Sequence, residues 1–155
     1  MTRNTAELQT PADGPWTYEQ QLLGFNYRLT DLQAALGLSQ LGRLDVMQSK
    51  RAELVDRYDQ MLSSLPLILP MREAGSSSSW HLYVVEVDEA RTKTSRAAVF
   101  SAMRAAQIGV NVHYIPIHTQ PFYARMGFSK GDFPAAEHYY GRALSLPLFP
   151  SLTNE

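Results

Sequence analysis

The sequence predicts an α/β fold, a small mixed sheet covered by helices. Three observations carry this expectation. Apolar residues recur at helical spacing through 44–65. A β-branched and aromatic run, WHLYVVEV, spans 80–87. The segments then alternate in the order helix, helix, strand, helix, strand, helix, strand, which fits one layer of helices on one sheet. With 155 residues the chain has the length of one domain. A chain of this size buries ~68–70% of its unfolded surface.

Each element has a local cause. Thr30 and Gln33 form a capping box that opens a helix over 30–41. Residues 32–41 (LQAALGLSQL) carry no charge, and a helix without a charged face is covered on most sides. That points to a partner surface. Gly42 interrupts the run. In the second helix, to about residue 65, Leu44, Met47, Leu54, Tyr58, Met61 and Leu65 form the apolar stripe, and Pro66 ends it. Gly75 and four serines make 73–79 a loop. Ser95 caps a helix through about 107, with Val99, Met103 and Ala106 inward and Gly109 as its stop. The alternation of VNVHYI predicts a strand over 110–115. Pro116 and Pro121 bracket a loop, and 122–126 form a short helical turn. Pro134 suits the first turn of a helix to about 144, followed by an extended 146–148. Thr153 or Asn154 would cap a further helix, with Glu155 in its first turn.

Composition excludes several functions. The formal net charge is −1, against a chain built to bind nucleic acid or an anionic membrane. Cysteine is absent, which removes disulfides, thiol nucleophiles, Fe–S clusters and Cys-ligated zinc. No apolar run reaches the roughly 18 residues of a membrane span, and no secretory leader is legible, so the expected location is cytoplasmic. The four histidines show no HExxH spacing, so no metal site is expected. GxGxxG, GxxxxGK and GxSxG are all missing.

Two segments hold polar groups suited to a ligand. In HYIPIHTQ, His113, Tyr114, His118 and Gln120 bring four hydrogen-bonding side chains to a strand end and its loop. Such a set suits a polyhydroxylated or phosphorylated ligand, and equally an ordinary polar turn. In GFNYR, Asn26 and Arg28 precede the capped helix, where an anion is stabilised by free N–H groups. The same pair also reads as a connector whose Asn26 makes a turn and whose Arg28 meets an acid.

Taken together, GPW at 14–16, YEQ at 18–20, GFNYRLTDLQAALGLSQLGRLD, WHLYVV, HYIPIHTQPFY and ALSLPLFPSLT resemble the DegT-type nucleotide-sugar aminotransferases, fold-type I enzymes dependent on pyridoxal 5′-phosphate (PLP). The resemblance runs from about residue 14 to the end. GPW, YEQ and HYIPIHTQPFY resemble in particular the branch that serves pseudaminic acid synthesis. It implies the C-terminal small domain of a PLP-dependent transferase, with 1–28 as the connector from a large domain and 29–155 as the small domain, truncated at its end. It implies transfer of an amino group from glutamate to C4 of a UDP-4-keto-6-deoxy-N-acetylhexosamine. Asn26 and Arg28 match the cofactor-phosphate side of a homodimer interface, which explains the uncharged helix. His113, Tyr114 and His118 match the nucleotide-sugar side.

The resemblance also exposes a departure. Transamination through PLP requires a Schiff-base lysine. Of the 14 basic residues only Lys50, Lys93 and Lys130 are lysine, and none sits in an apolar motif. No catalytic residue is therefore assigned to this chain. The expectation is a fragment inactive by itself, with residues 1–28 poorly packed. The alternative is a non-catalytic dimerisation or sugar-nucleotide binding module.

Overall fold

In the larger of two units, helices accompany a very small sheet. The computed structural model describes residues 2–12, 14–25 and 27–153. They form two compact units, Met1–Leu41 and Gly42–Glu155. The α/β class stands.

The first unit holds a 3-10 turn at Thr5–Glu7 and helix α1, Asp31–Leu41. None of its described residues is buried. Glu19 organises the strap before α1. Its carboxylate accepts the Gln9 N–H at 2.8 Å, the Thr10 N–H at 2.8 Å and the Thr10 hydroxyl at 2.5 Å. The capping box closes as expected: Gln33 N donates to Thr30 Oγ at 3.3 Å, and Thr30 N donates to Gln33 Oε1 at 3.0 Å. The apolar residues of α1, among them Leu32, Leu36, Leu38 and Leu41, are exposed.

The second unit contains α2 (Leu44–Leu62), β1 (Leu67–Ile68), β2 (Tyr83–Val87), α3 (Arg96–Ala105), α4 (Pro121–Ala124), α5 (Pro134–Arg142) and β3 (Ala143–Leu146). The sheet order is β1-β2-β3 and both pairings are antiparallel, where mixed pairing was expected. Central β2 alternates strictly: Tyr83, Val85 and Val87 are buried, while Val84 and Glu86 are less so. Tyr83, Val85, Val55, Val110 and Leu144 form the core cluster, and Tyr58, Leu62, Val99, Phe100 and Met103 pack against it.

Several boundaries differ from expectation for identifiable reasons. The core face of α2 runs through Val55, Tyr58 and Leu62. Leu54 and Met61 of the expected stripe turn instead toward an apolar groove of about 400 Å³ that Met103, Leu146, Pro147 and Leu152 also line. α3 ends at Ala105, and Gln107 takes the left-handed conformation at φ 62° that Gly109 was expected to supply. Residues 110–115 form no strand. Asn111 alone bridges to Ser145, and the Val112 N–H is captured by the Asn111 side chain at 2.8 Å rather than by a neighbouring strand. β3 begins directly where α5 ends, earlier than 146–148. β1 escapes sequence reading because two residues carry no period.

A polar network braces one flank of the core. The Tyr83 hydroxyl donates to Asp59 at 2.6 Å, and Arg72 pairs with Asp59 at 2.6 Å and Asp56 at 2.7 Å. Burial, then the Asp59 bond, pushes the Tyr83 hydroxyl pKa up. Trp80 precedes β2 at φ 48°, its ring between the Arg72 guanidinium, 5.3 Å away, and Tyr83, 6.4 Å away. His81, inside the strand expected over 80–87, is exposed, and the strand starts only at Tyr83.

Two outcomes follow. Leu144→Ala should cost about 2–5 kcal/mol in chemical denaturation, and exposed Lys50→Ala less than about 0.5 kcal/mol. The bonds from Gln9, first, and Thr10 hold the Glu19 carboxylate at about 2. A lowered folded-state value contributes stability above the ordinary Glu range of about 4.3, lost as pH falls through the folded value. Amide protection of Gln9 and Thr10 should therefore persist to about pH 2 and collapse below it. In Glu19→Gln the protection should already be weak at neutral pH.

Candidate functional site

The HYIPIH segment is held at its two ends and open in its middle. Val110, buried in the core, delivers the chain to Asn111. Asn111 N donates to Ser145 O at 3.2 Å and Ser145 N to Asn111 O at 2.8 Å, so the segment leaves from the free edge of β3. His113 follows, its Nδ1 lying 2.7 Å from Ser145 Oγ and its Nε2 3.4 Å from Asn111 Nδ2. The Val112 N–H occupies Asn111 Oδ1, which turns the amide NH₂ toward the imidazole. An NH₂ only donates, so Nε2 accepts and Nδ1–H donates to Ser145. This pattern fixes one tautomer of His113.

At the other end His118 is buried. Its Nε2 meets Glu137 Oε1 at 2.8 Å, and the Phe133 ring packs on it with centroids 4.8 Å apart. A carboxylate only accepts, so Nε2 carries the proton. The same Oε1 accepts the Gly131 N–H at 2.6 Å. The Gly131 bond, and after it His118, hold the Glu137 carboxyl below the usual carboxylate range. Glu137 also lies in the first turn of α5, where the helix dipole favours negative charge.

Between the anchors Tyr114, Ile115 and Ile117 are 71%, 53% and 64% exposed. The Tyr114 ring stands edge-on to His113 at 4.6 Å. Phe133 continues outward through Phe128 (6.2 Å) to Tyr123 (6.5 Å), an aromatic ladder beside the loop. The arrangement sets exposed apolar and aromatic side chains beside one oriented imidazole.

The other expected residues lie elsewhere. Arg28 belongs to the first unit, is exposed, and follows Tyr27, whose ring stacks on Phe25 at 5.2 Å. Asn26 lies outside the described residues. Lys50, Lys93 and Lys130 are all exposed, on α2, before α3 and in the turn before α5. Among the described residues no group of three His, Asp or Glu is arranged to hold a metal, and no helix is long and apolar enough to cross a membrane. The sequence reading missed Asn111, Ser145 and Glu137. Ser145 had a signal, a lone hydroxyl inside the apolar run ALSLPL. Glu137 had none, since nothing in its spacing ties it to His118, 19 positions away.

Known proteins resemble this chain. Residues 7–155 match the DegT/DnrJ/EryC1/StrS aminotransferase family. The spore coat polysaccharide biosynthesis protein SpsC of Bacillus subtilis (strain 168) is 42% identical over 147 residues, which are 93% of this chain and 38% of that protein. A putative sugar aminotransferase from Streptococcus pneumoniae, solved in an apo-form, superposes with a TM-score of 0.78 at 29% identity, covering 92% of this chain and 36% of that one. Its PLP-form gives the same TM-score and identity over 90% of this chain and 36% of that one. PseC of Helicobacter pylori, an aminotransferase involved in the biosynthesis of pseudoaminic acid, superposes with a TM-score of 0.76 at 27% identity, covering 90% of this chain and 37% of that one. The chain thus spans little more than a third of the length of the relatives it matches. Over that span its sequence and its fold agree with them, and it belongs to the DegT/DnrJ/EryC1/StrS aminotransferase family.

Proposed function

We propose that this chain is the C-terminal small-domain part of a PLP-dependent sugar aminotransferase and supplies the nucleotide-sugar side of its active site. In this reading residues 1–28 are the connector and 29–155 the small domain. The substrate is a UDP-4-keto-6-deoxy-N-acetylhexosamine, glutamate is the amino donor, and the working unit is a homodimer in the cytoplasm. The observation that carries the reading is the 113–118 segment: an oriented His113 beside exposed Tyr114, on a loop fixed from both ends. Likeness to PseC supports a sugar of the pseudaminic acid type.

PLP supplies amine transfer by holding the migrating nitrogen covalently, and that chemistry requires a lysine in a desolvated setting. The residues of this chain do not fit that need, because Lys50, Lys93 and Lys130 are all exposed. What the chain does offer is charge and orientation. Arg28 is suited to an anionic phosphate, and the family pattern assigns Asn26 to the same group in a neighbouring subunit. Tyr114 contacts the substrate through its hydroxyl, His113 borders it with both ring nitrogens engaged by Ser145 and Asn111, and His118 acts from beneath the loop, since its Nε2 is committed to Glu137.

A second reading, a non-catalytic dimerisation module, draws on the exposed apolar face of α1. It requires the isolated chain to be a stable, monodisperse oligomer, whereas a fragment with this face open aggregates.

Adding PLP to the 155-residue chain should leave the absorbance of the free cofactor unchanged. A shifted band that disappears on replacing Lys50, Lys93 or Lys130 would contradict the fragment reading. UDP-N-acetylglucosamine, titrated calorimetrically, should bind the chain, and His113→Ala, which releases the Tyr114 end of the loop from Ser145, should weaken that binding about tenfold, the worth of about one hydrogen bond. Equal binding by both proteins removes His113 from the site.

A further inference from the structure

The 113–118 segment owes its shape to two residues that it does not contain. Ser145, itself buried, meets His113 at one end, and Glu137 meets His118 at the other. The two anchors are eight positions apart, on α5 and on the β3 strand that follows it without a loop. Glu137 does a second task with the same oxygen, since the Gly131 N–H ties the turn before α5 to the His118 end. Tyr114, Ile115 and Ile117 lie between the anchors with their side chains exposed. Three apolar or aromatic side chains exposed within four positions make a patch of the kind that contact surfaces carry.

We propose that Glu137 and Ser145 are positioning residues, which pin the two ends of the 113–118 segment so that Tyr114, Ile115 and Ile117 present a preformed face to the ligand. This rests on the reading of that segment as the nucleotide-sugar side of the site. Neither residue touches the ligand. Both act through a histidine whose ring they orient, and a preorganised loop avoids the ordering cost of binding.

Amide hydrogen exchange on the whole chain tests the anchors without any ligand. Glu137→Leu should speed exchange about tenfold at Thr119, Gln120 and Gly131, and Ser145→Ala should do the same at Asn111 and Val112 only, each being the loss of about one hydrogen bond. Val84 and Val85 in β2 should be unaffected. Glu137→Gln keeps a carbonyl acceptor and should restore most of the protection. If Glu137→Leu does not fold, His118→Phe cuts the His118 bond from the other side and should speed exchange at Thr119 and Gln120 while Gly131 stays protected by Glu137. Unchanged exchange at both ends, or a uniform rise that includes β2, overturns the proposal. A parallel titration with uridine diphosphate separates the two layers. No uptake by the native chain counts against the site reading alone, and the exchange result still decides the anchors. Uptake by the native chain that Glu137→Leu and Ser145→Ala leave unweakened, despite faster exchange, overturns the positioning role.

Discussion

The pairing of β2 with β3 is the constraint on which the larger unit depends. Its register sets Leu144 opposite Val85 and Ser145 opposite Val84. Because side chains alternate across a strand, that one choice sends Leu144 into the core and Ser145 to the other face. A slip of one residue would exchange them, burying a hydroxyl among Val55, Tyr83 and Val110 and stripping His113 of its partner. The same register brings the end of α5 beside Glu86, where Arg142 pairs with it at 2.7 Å. Core packing and the geometry of the loop are thus consequences of a single alignment.

Much of this was legible in the sequence, and the legible parts share a cause. Where order is local, the residues announce it. The Thr30–Gln33 box and the Ser95 cap involve neighbours within four positions and appear as read, and the β-branched and aromatic run over 80–87 yields a strand over its last five residues. Where tertiary contacts decide, the pattern misleads. Val110 to Ile115 alternates like a strand, yet the Asn111 side chain satisfies the next backbone amide and the segment peels away from the sheet. The α2 stripe was displaced because that helix serves two apolar surfaces, the core through Val55 and the groove through Leu54 and Met61.

The site was legible by half. The concentration of histidine, tyrosine and glutamine in one short stretch drew attention to a loop that the fold fastens at both ends. Its supports were invisible, because Glu137 and Ser145 reach it only through the fold, across 19 and 32 positions of chain. That asymmetry has a physical origin. Groups that meet a ligand cluster along a loop, while groups that hold the loop come from whichever elements happen to pass beneath it.

A segment fastened at His113 and His118 has a fixed span with a free middle. Residues may be added to or taken from a loop held at one end with little consequence, but between two fixed points the chain length is set by the distance to be crossed. Related proteins that take different sugars would then diverge here by exchanging side chains at positions 114, 115 and 117, not by changing the length of the loop. In such a frame specificity drifts one residue at a time while the scaffold stands still.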